Sequence, residues 1–204
     1  PESVKRIGQN AFERSYELTS VNIPSGITEI SDYLFWRCKK LEEITIPTGV
    51  TQIGEYAFSG TAIREITIPA QVTRLKCCTF YDCPNLVNVT IPNSVTYFEE
   101  GVFLDCSHLT NIYYSGNEDK WNAIKVDYYD NGEIVTATIG ELNEFLPGVT
   151  IHYNSDGDVD DDQTVINIFS RAPEGLVFGQ SEPLRVSMTF DHEIESVDTT
   201  GQSG

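Results

Sequence analysis

Leu41-Glu-Glu-Ile-Thr-Ile-Pro47 is the stretch that decides the fold, because the chain repeats it. Close copies occupy residues 18–24, 63–69 and 86–92, and residues 109–114 repeat it without the proline. The Ile-Pro pairs begin at positions 23, 46, 68 and 91, in steps of 23, 22 and 23 residues. Self-similarity with a fixed period of this length indicates a protein built from stacked repeats.

Other positions recur with the same period. An apolar residue lies at the same place in every copy, as Ile7, Ile30, Ile53, Leu75 and Phe98. Five residues later comes a phenylalanine, as Phe12, Phe35, Phe58, Phe80 and Phe103. Three residues after that phenylalanine comes Cys38, Cys83 or Cys106, with Ser15 in the first copy. The copy that runs through Phe58-Ser-Gly-Thr-Ala-Ile63 is one residue short and lacks the cysteine, which accounts for the single step of 22.

A single copy cannot fold alone. It offers about six apolar side chains, each contributing roughly 1.5–3 kcal/mol when buried, whereas ordering its backbone costs roughly 1–2 kcal/mol per residue. Stacking reverses this balance, because each copy covers the apolar layer of its neighbour. The alternation of a strand directs Ile44 and Ile46 inward and Glu43 and Thr45 outward. Parallel strands joined by crossovers are typical of a right-handed coil.

The repeat resembles a known family. Its consensus, Val-Thr-x-Ile-x-x-x-Ala-Phe-x-x-Cys-x-x-Leu-x-x-Ile-x-Ile-Pro, is similar to the BspA-type leucine-rich repeat of bacterial cell-surface proteins, and Val50-Thr-Gln-Ile-Gly-Glu-Tyr-Ala-Phe58 is close to the ideal form. The resemblance covers residues 3–114 and, more loosely, the stretch to Tyr153. It implies a surface adhesin or a related recognition role and brings no catalytic residues.

We therefore predict a β-rich, right-handed leucine-rich repeat solenoid over residues 1–114. It has five repeats of 22–23 residues, a parallel sheet and short helical or 3₁₀ turns on the outer side. The predicted main strands are 19–23, 42–46, 64–68, 87–91 and 110–114. Shorter extended pieces are predicted at 28–30, 51–53, 73–75 and 96–98.

Residues 115–153 are predicted to cap the last repeat. Ser115 and Glu118 form a capping-box pattern that begins a short helix carrying Trp121. Covering the apolar end of the stack is the expected role of this tryptophan, and a carbohydrate platform is the alternative. A turn at 130–132 and strands at 134–139 and 149–153 complete the predicted cap.

Two further segments follow. Residues 154–163 form an acidic linker; Asp156, Asp158 and Asp160 alternate as in a calcium loop, but the glycine and glutamate that an EF-hand needs are missing. Residues 164–204 are a partial β segment that resembles the beginning of a bacterial immunoglobulin-like domain. About forty residues are too few for a complete sandwich.

The net charge of −18 limits the choice of partners. Residues 111–204 hold 4 Lys and Arg against 18 Asp and Glu. This acidity disfavours nucleic acid; it keeps the chain soluble and also suits a basic partner. No apolar run reaches the 18 residues of a membrane span. Because the chain begins inside a repeat, we expect its start to be a processing boundary.

The five cysteines show no metal-binding spacing. We expect buried free thiols at Cys38, Cys83 and Cys106, and the alternative is a disulfide between Cys83 and Cys106, which belong to adjacent copies. The odd total argues against a disulfide framework. Cys77 and Cys78 are adjacent in the chain.

The sequence contains no catalytic, phosphate-binding or zinc-binding motif, so we expect no enzyme activity and no cofactor or metal. The adjacent pairs Glu42-Glu43 and Glu99-Glu100 are typical of a solvated surface. What remains is a polar strand face. The candidate partner-binding residues are its outward side chains, Asn22, Glu43, Thr45, Glu65, Thr67, Asn88, Thr90, Asn111 and Tyr113.

A second candidate surface is aromatic, with Tyr33 and Tyr56 at one repeat position and Trp36 and Tyr81 at another; the alternative is that these rings cover the core. We predict a monomeric, non-enzymatic recognition module of a secreted or bacterial cell-surface protein. Its predicted partner is an extracellular or host protein or glycan. The alternative function is a spacer that displays a neighbouring domain and binds nothing itself.

Overall fold

A computed structural model describes residues 3–130, 132–142 and 146–154. Each repeat contributes two short strands, one to each side of the stack. The strands are β1 (Ser20–Val21), β2 (Glu29–Ile30), β3 (Glu43–Ile44), β4 (Gln52–Ile53), β5 (Glu65–Thr67), β6 (Arg74–Leu75), β7 (Asn88–Ile91), β8 (Tyr97–Phe98), β9 (Asn111–Tyr114), β10 (Lys125–Asp130), β11 (Glu133–Thr138) and β12 (Thr150–Tyr153). One α-helix, α1 (Glu118–Asn122), and one 3₁₀ turn (Ile139–Glu141) complete the described structure.

The strands form two parallel columns, as the repeat predicts. The main column contains β1, β3, β5, β7, β9 and β12, and the second column contains β2, β4, β6, β8 and β10. Every predicted strand and every shorter extended piece of the repeats contains an observed strand, although each is shorter than predicted. The predicted inward row is buried at Ile23, Ile46, Ile68 and Ile91, each at most 6% exposed.

The outer side of each repeat is a turn rather than a helix. The outer turns are residues 10–14, 33–37, 56–60, 78–82 and 101–105, and in each one the first and last residues have φ between 53° and 70°. Each of the first four turns donates three backbone N–H groups to carbonyls of the following turn or of the residue just before it, over 2.7–3.2 Å. The outer turns therefore form a third hydrogen-bonded column.

A phenylalanine ladder runs beneath the outer turns. Phe12, Phe35, Phe58, Phe80 and Phe103 stack in sequence, with ring centroids 5.5–5.7 Å apart and interplanar angles of 5–15°. Near-parallel rings at this distance pack in the offset arrangement that aromatic pairs favour. The three middle rings are fully buried. The ladder thus provides a continuous apolar contact between successive repeats.

Both strand columns are interrupted at the same repeat. β1 and β3 form one sheet, whereas β5, β7, β9 and β12 form another; likewise β4 and β6 belong to different sheets. We call the gap between β3 and β5 the break. It coincides with the only step of 22 residues, where the connection between outer turn and strand has lost about 3.3–3.6 Å of chain. The predicted single parallel sheet is therefore divided in two.

The cysteine position explains how the short repeat is accommodated. The thiols of Cys38, Cys83 and Cys106 donate to the carbonyl of the ladder phenylalanine in the preceding repeat, at 3.0, 3.2 and 3.0 Å. In the short repeat, buried Thr61 occupies this position and donates its hydroxyl to the carbonyl of Phe58 at 2.8 Å. The missing residue therefore lies after Thr61. The Thr61 hydroxyl bonds within its own repeat, whereas the cysteine thiols bond to the preceding repeat.

The cap begins with α1, whose N-terminus differs from the prediction. Asn117 is the N-cap and accepts the Lys120 backbone N–H at 2.9 Å. The predicted capping box at Ser115 is wrong, because Ser115 is buried and its hydroxyl accepts the Asn93 backbone N–H at 2.7 Å. Ser115 and Asn117 are both residue types that favour an N-cap, but Ser115 bonds across to the previous repeat and Asn117 is the cap.

Trp121 closes the apolar end of the stack, as predicted. It is 3% exposed and meets Phe98 and Tyr114 edge-on at centroid distances of 6.0 and 5.2 Å. Burial raises the pKa of the Tyr114 hydroxyl to about 12. The tryptophan is part of the core and presents no ring face to solvent, so the carbohydrate-platform alternative is wrong.

The cap also extends both columns. The first two residues of β10 pair in parallel with β8, and β10 then forms an antiparallel hairpin with β11. β12 pairs in parallel with all four residues of β9. The strands predicted at 134–139 and 149–153 are confirmed, whereas β10 was not predicted. Helix α1 accounts for the longer path between β9 and β10.

Some predictions lie outside the described residues. These are the acidic linker after Asn154, its calcium-loop alternative and the immunoglobulin-like segment at 164–204. Within the described part of the chain, no helix is long and apolar enough to cross a membrane.

Candidate binding face

The outward side chains of the main column form one polar surface, which we call the main sheet face. Parallel register places equivalent residues side by side: Thr67 lies beside Thr90, and Thr90 lies beside Tyr113. In the same way Glu65, Asn88 and Asn111 form a row. All nine predicted partner-binding residues are exposed or half-buried. The structure thus brings most of them together on one surface.

A depression of about 570 Å³ opens on this face at the break. It is lined by Ile44, Thr45, Ile46, Thr48, Glu65, Ile66, Thr67, Pro69, Asn88, Thr90 and Tyr113. Six of the nine predicted residues line it, and Asn22, Glu43 and Asn111 lie outside its lining. The apolar part of the lining, which includes half-buried Ile44, was not predicted as part of the site.

Hydrogen bonds order the other end of the face. The Asn111 side-chain amide donates to Asn88 Oδ1 at 3.1 Å, and His152 Nε2 lies 2.9 Å from Asn111 Oδ1. The His152 ring stacks on Tyr113, with centroids 4.7 Å apart and an interplanar angle of 14°. These contacts fix the side chains of β7, β9 and β12 in place before any partner binds.

His152 is the residue of this face that the sequence reasoning missed. Its strand was predicted as part of the cap and not as a further member of the main column. A signal was present, since Thr150-Ile-His-Tyr153 matches Asn111-Ile-Tyr-Tyr114 at the inward isoleucine and the final tyrosine. The insertion of the cap between these segments hides the match, because the repeat spacing is lost.

The face carries uncompensated negative charge near the break. Glu65 lines the depression and Glu43 lies on β3, and both are exposed. Within the described residues neither carboxylate forms an ion pair, whereas Glu17 pairs with Lys40 at 2.6 Å and Glu99 with Arg74 at 3.4 Å elsewhere. None of the residues that line the depression is basic. A ligand with positive charge is therefore favoured here.

The aromatic candidate lies on the outer turns. Tyr33 and Tyr56 stack on each other at 5.0 Å, and Trp36 meets Tyr33 edge-on at 5.8 Å. The guanidinium carbons of Arg14 and Arg37 lie 4.9 and 4.7 Å from the Trp36 ring centroid. These rings, together with Tyr81, are half-buried. Stacked rings and two arginines occupy much of the aromatic surface, which favours a covering role.

The cysteine thiols and the Glu99 carboxylate are engaged in contacts within the fold. All five cysteines are free thiols, so the predicted Cys83–Cys106 disulfide alternative is absent. Burial and the neighbouring Cys78 thiol raise the pKa of Cys77 to about 12, which suppresses its thiolate. Glu99 accepts the Cys77 N–H at 3.0 Å as well as pairing with Arg74. No group of three or more metal-ligating side chains occurs among the described residues.

Stacked parallel strands, an inward isoleucine row and a polar outward face define a leucine-rich repeat protein. The chain belongs to the BspA-type leucine-rich repeat family: the family model described as "BspA type Leucine rich repeat region (6 copies)" matches residues 38–152. Repeat proteins of this kind are generally non-enzymatic scaffolds that present a surface to other proteins. No curated protein matches the chain.

Solved structures of bacterial leucine-rich repeat proteins are similar to this one. The T. pallidum leucine-rich repeat protein is 30% identical with a TM-score of 0.51, over 52% of this chain and 50% of that one. A Bacteroides ovatus leucine-rich repeat protein is 27% identical, TM-score 0.46, over 56% and 38% of the two chains. A leucine-rich cell surface protein of Faecalibacterium prausnitzii is 31% identical, TM-score 0.42, over 53% and 35%.

The matched regions of these three proteins are at most half of their chains. The chain therefore corresponds to one part of each of them.

Proposed function

We propose that this chain is a non-enzymatic recognition module of a secreted or bacterial cell-surface protein. It binds an extracellular or host protein or glycan through the main sheet face and acts as a monomer. The predicted partner-binding residues are Asn22, Glu43, Thr45, Glu65, Thr67, Asn88, Thr90, Asn111 and Tyr113.

The depression at the break is the observation that carries this proposal. Its lining combines hydroxyl and amide groups with a carboxylate that has no ion-pair partner among the described residues. Asn88, Asn111, Tyr113 and His152 are held by hydrogen bonds and ring stacking. A surface that is ordered in advance loses less conformational entropy on binding, so more of the contact energy remains as affinity.

Membership of the BspA-type family supports the surface location, since this repeat resembles that of bacterial cell-surface proteins. The engaged cysteines and Glu99 support a binding role over a catalytic one, because their donors and acceptors already serve the fold. A binding role also suits a long row of short polar strands, which offers surface area without an enclosed cavity.

The test is capture of extracellular proteins and immobilised glycans by the purified chain, comparing two double variants of equal charge change. Glu43→Lys with Glu65→Lys alters the main sheet face, whereas Glu29→Lys with Glu55→Lys alters exposed carboxylates elsewhere. We expect only the first pair to lose the partner, by at least tenfold. Equal capture by both double variants would remove the main sheet face from the account. If the unaltered chain captured nothing from either panel, the spacer alternative would be favoured.

A further inference from the structure

We propose that the depression at the break binds a lysine or arginine side chain of a partner protein. This inference rests on the proposed function, because it uses the same face, and it adds the chemical class of the group recognised there. It follows from three features of the depression: its apolar wall, its unpaired acceptors and its charge.

The wall of the depression suits the aliphatic part of a long basic side chain. Ile44, on β3, is half-buried, and buried Ile46, Ile66 and Pro69 also line the depression. The methyl groups of Thr45, Thr67 and Thr90 add further apolar surface. Lysine and arginine bury their methylene stems along such surface while the charged end remains near polar groups.

The break leaves a main-chain carbonyl of β3 without a strand partner. In a continuous sheet this carbonyl would be hydrogen-bonded to β5. In the intact ladder, parallel register places Thr67 beside Thr90, and Ile68 N–H donates to Thr90 O at 2.9 Å. Successive N–H groups of a strand alternate between its two edges, so the Thr67 N–H points toward β3. Because β3 and β5 belong to different sheets, the facing edge of β3, including the Ile44 carbonyl, has no strand partner. A carbonyl oxygen in this position accepts hydrogen bonds from an ammonium or guanidinium group.

The charge of the depression selects for a cation. Glu65 is its only ionisable carboxylate, exposed and without an ion-pair partner among the described residues. Glu43, equally unpaired, lies nearby on β3. The net charge of −18 attracts basic partners over a distance and repels acidic ones.

The same depression is less suited to binding a neutral sugar. Saccharides bind well where an aromatic ring offers an open face, and Tyr113 is the only aromatic residue in the lining. One face of its ring is already stacked on His152 at 4.7 Å, so only the opposite face remains for a sugar. The depression therefore favours a protein partner with an exposed basic side chain over a glycan.

The test uses isoleucine methyl NMR of the whole chain, with acetylated tripeptide amides as probes. The probes are Gly-Lys-Gly, Gly-Arg-Gly and Gly-norleucine-Gly, and maltotriose is the saccharide arm. We expect the lysine and arginine peptides to shift the Ile44 methyl signal in a saturable manner. The norleucine peptide, which has a similar length but no charge, leaves it unmoved. Ile134, exposed on the hairpin, is the internal control for nonspecific shifts.

Glu65→Gln removes the charge and keeps the shape. We expect it to weaken binding of the lysine peptide about fivefold, the effect of losing an exposed ion pair. Glu29→Gln, on the second column, leaves binding unchanged. Equal shifts with norleucine, shifts with maltotriose alone, or unchanged binding by Glu65→Gln would each overturn the inference. If those results came while the Glu43→Lys, Glu65→Lys double variant still lost its captured partner, the proposed function would stand without this inference.

Discussion

The outer turns and the main column are made by the same repeats, yet they respond differently to the loss of one residue. The outer turns remain hydrogen-bonded from each repeat to the next, and the phenylalanine ladder keeps its 5.5 Å spacing from Phe58 to Phe80. The strands of both columns separate at the same step. The contacts that hold successive repeats together therefore lie mainly in the outer turns. The main sheet face can change without separating the repeats.

This difference has a physical origin in the two kinds of contact. Each outer turn offers three hydrogen bonds and a stacked ring within a few residues, so it tolerates a shortened connection elsewhere. β3 has only two residues and β5 only three, so little hydrogen bonding holds them together. The main sheet face can therefore differ from repeat to repeat, because the contacts between repeats depend on the outer turns more than on its strands.

Truncating the phenylalanine ladder is expected to have the largest effect. Phe58→Ala removes a fully buried ring that stacks on both neighbours, and we expect it to lower the free energy of unfolding by about 3–5 kcal/mol. Phe12→Ala, at the half-buried end of the ladder, should have a smaller effect. Urea denaturation measures both. Equal losses of unfolding free energy in the two variants would show that the middle rings of the ladder contribute no more to stability than the ring at its end.

Adding a methyl group at an outer-turn glycine should have an intermediate effect. Gly60 has φ +70°, and a Cβ there would meet Arg37 Cγ at 3.2 Å. We expect Gly60→Ala to destabilise the chain by about 1–2 kcal/mol, since a side chain is strained in this conformation. Gly49→Ala is the control, because the nearest atom to its Cβ would be 3.9 Å away. Thermal unfolding of the two variants should differ by several degrees.

Two threonines allow a direct comparison of the regions. Thr61 is buried and donates to the Phe58 carbonyl at 2.8 Å, whereas Thr67 is exposed on the main sheet face. We expect Thr61→Ala to lower the free energy of unfolding by about 1 kcal/mol because a buried carbonyl loses a donor. Thr67→Ala should change it by less than about 0.5 kcal/mol. A larger loss from Thr67→Ala would contradict the view that the main sheet face contributes less to stability than the buried residues beside the outer turns.

The smallest predicted effect concerns the cap. The Thr138 N–H and hydroxyl donate to Glu141 Oε2 at 2.8 and 3.0 Å, and these bonds lower the pKa of the Glu141 carboxyl. Because the folded pKa is lowered, the stabilisation is present above the unfolded value of about 4.3 and is lost as pH falls through the folded value.

Amide exchange at Thr138 should therefore quicken below about pH 4.3, relative to the intrinsic rate, and Glu141→Gln should abolish that acceleration. If the acceleration at low pH persisted in Glu141→Gln, another carboxyl group would be responsible for it.

Much of this structure could be predicted from sequence, because repetition supplies several independent examples of each position. Ile46 and Phe58 were placed correctly since their equivalents share one environment in every repeat. The break was not predictable from the period alone. The step of 22 residues was visible, but which contacts would give way depends on the relative strength of turns and strands in three dimensions.

The cap was harder because its sequence occurs once. Ser115 and Asn117 both suit an N-cap, and only the bond from Asn93 to Ser115 decides between them. β12 continues the main column after the inserted helix and hairpin, so its spacing gives no signal of its role. His152 was missed on the binding face for the same reason.

Native-state hydrogen exchange at matched amides tests the central claim most directly. Thr67 and Thr90 lie side by side in equivalent positions, but the Thr67 N–H faces the break and the Thr90 N–H lies in the β5–β7 ladder. We expect Thr67 to exchange much faster than Thr90, while Phe58, which donates across the same step to Thr79 O at 3.0 Å, is as protected as Phe80. Protection of Thr67 equal to that of Thr90, or rapid exchange at Phe58, would contradict the account.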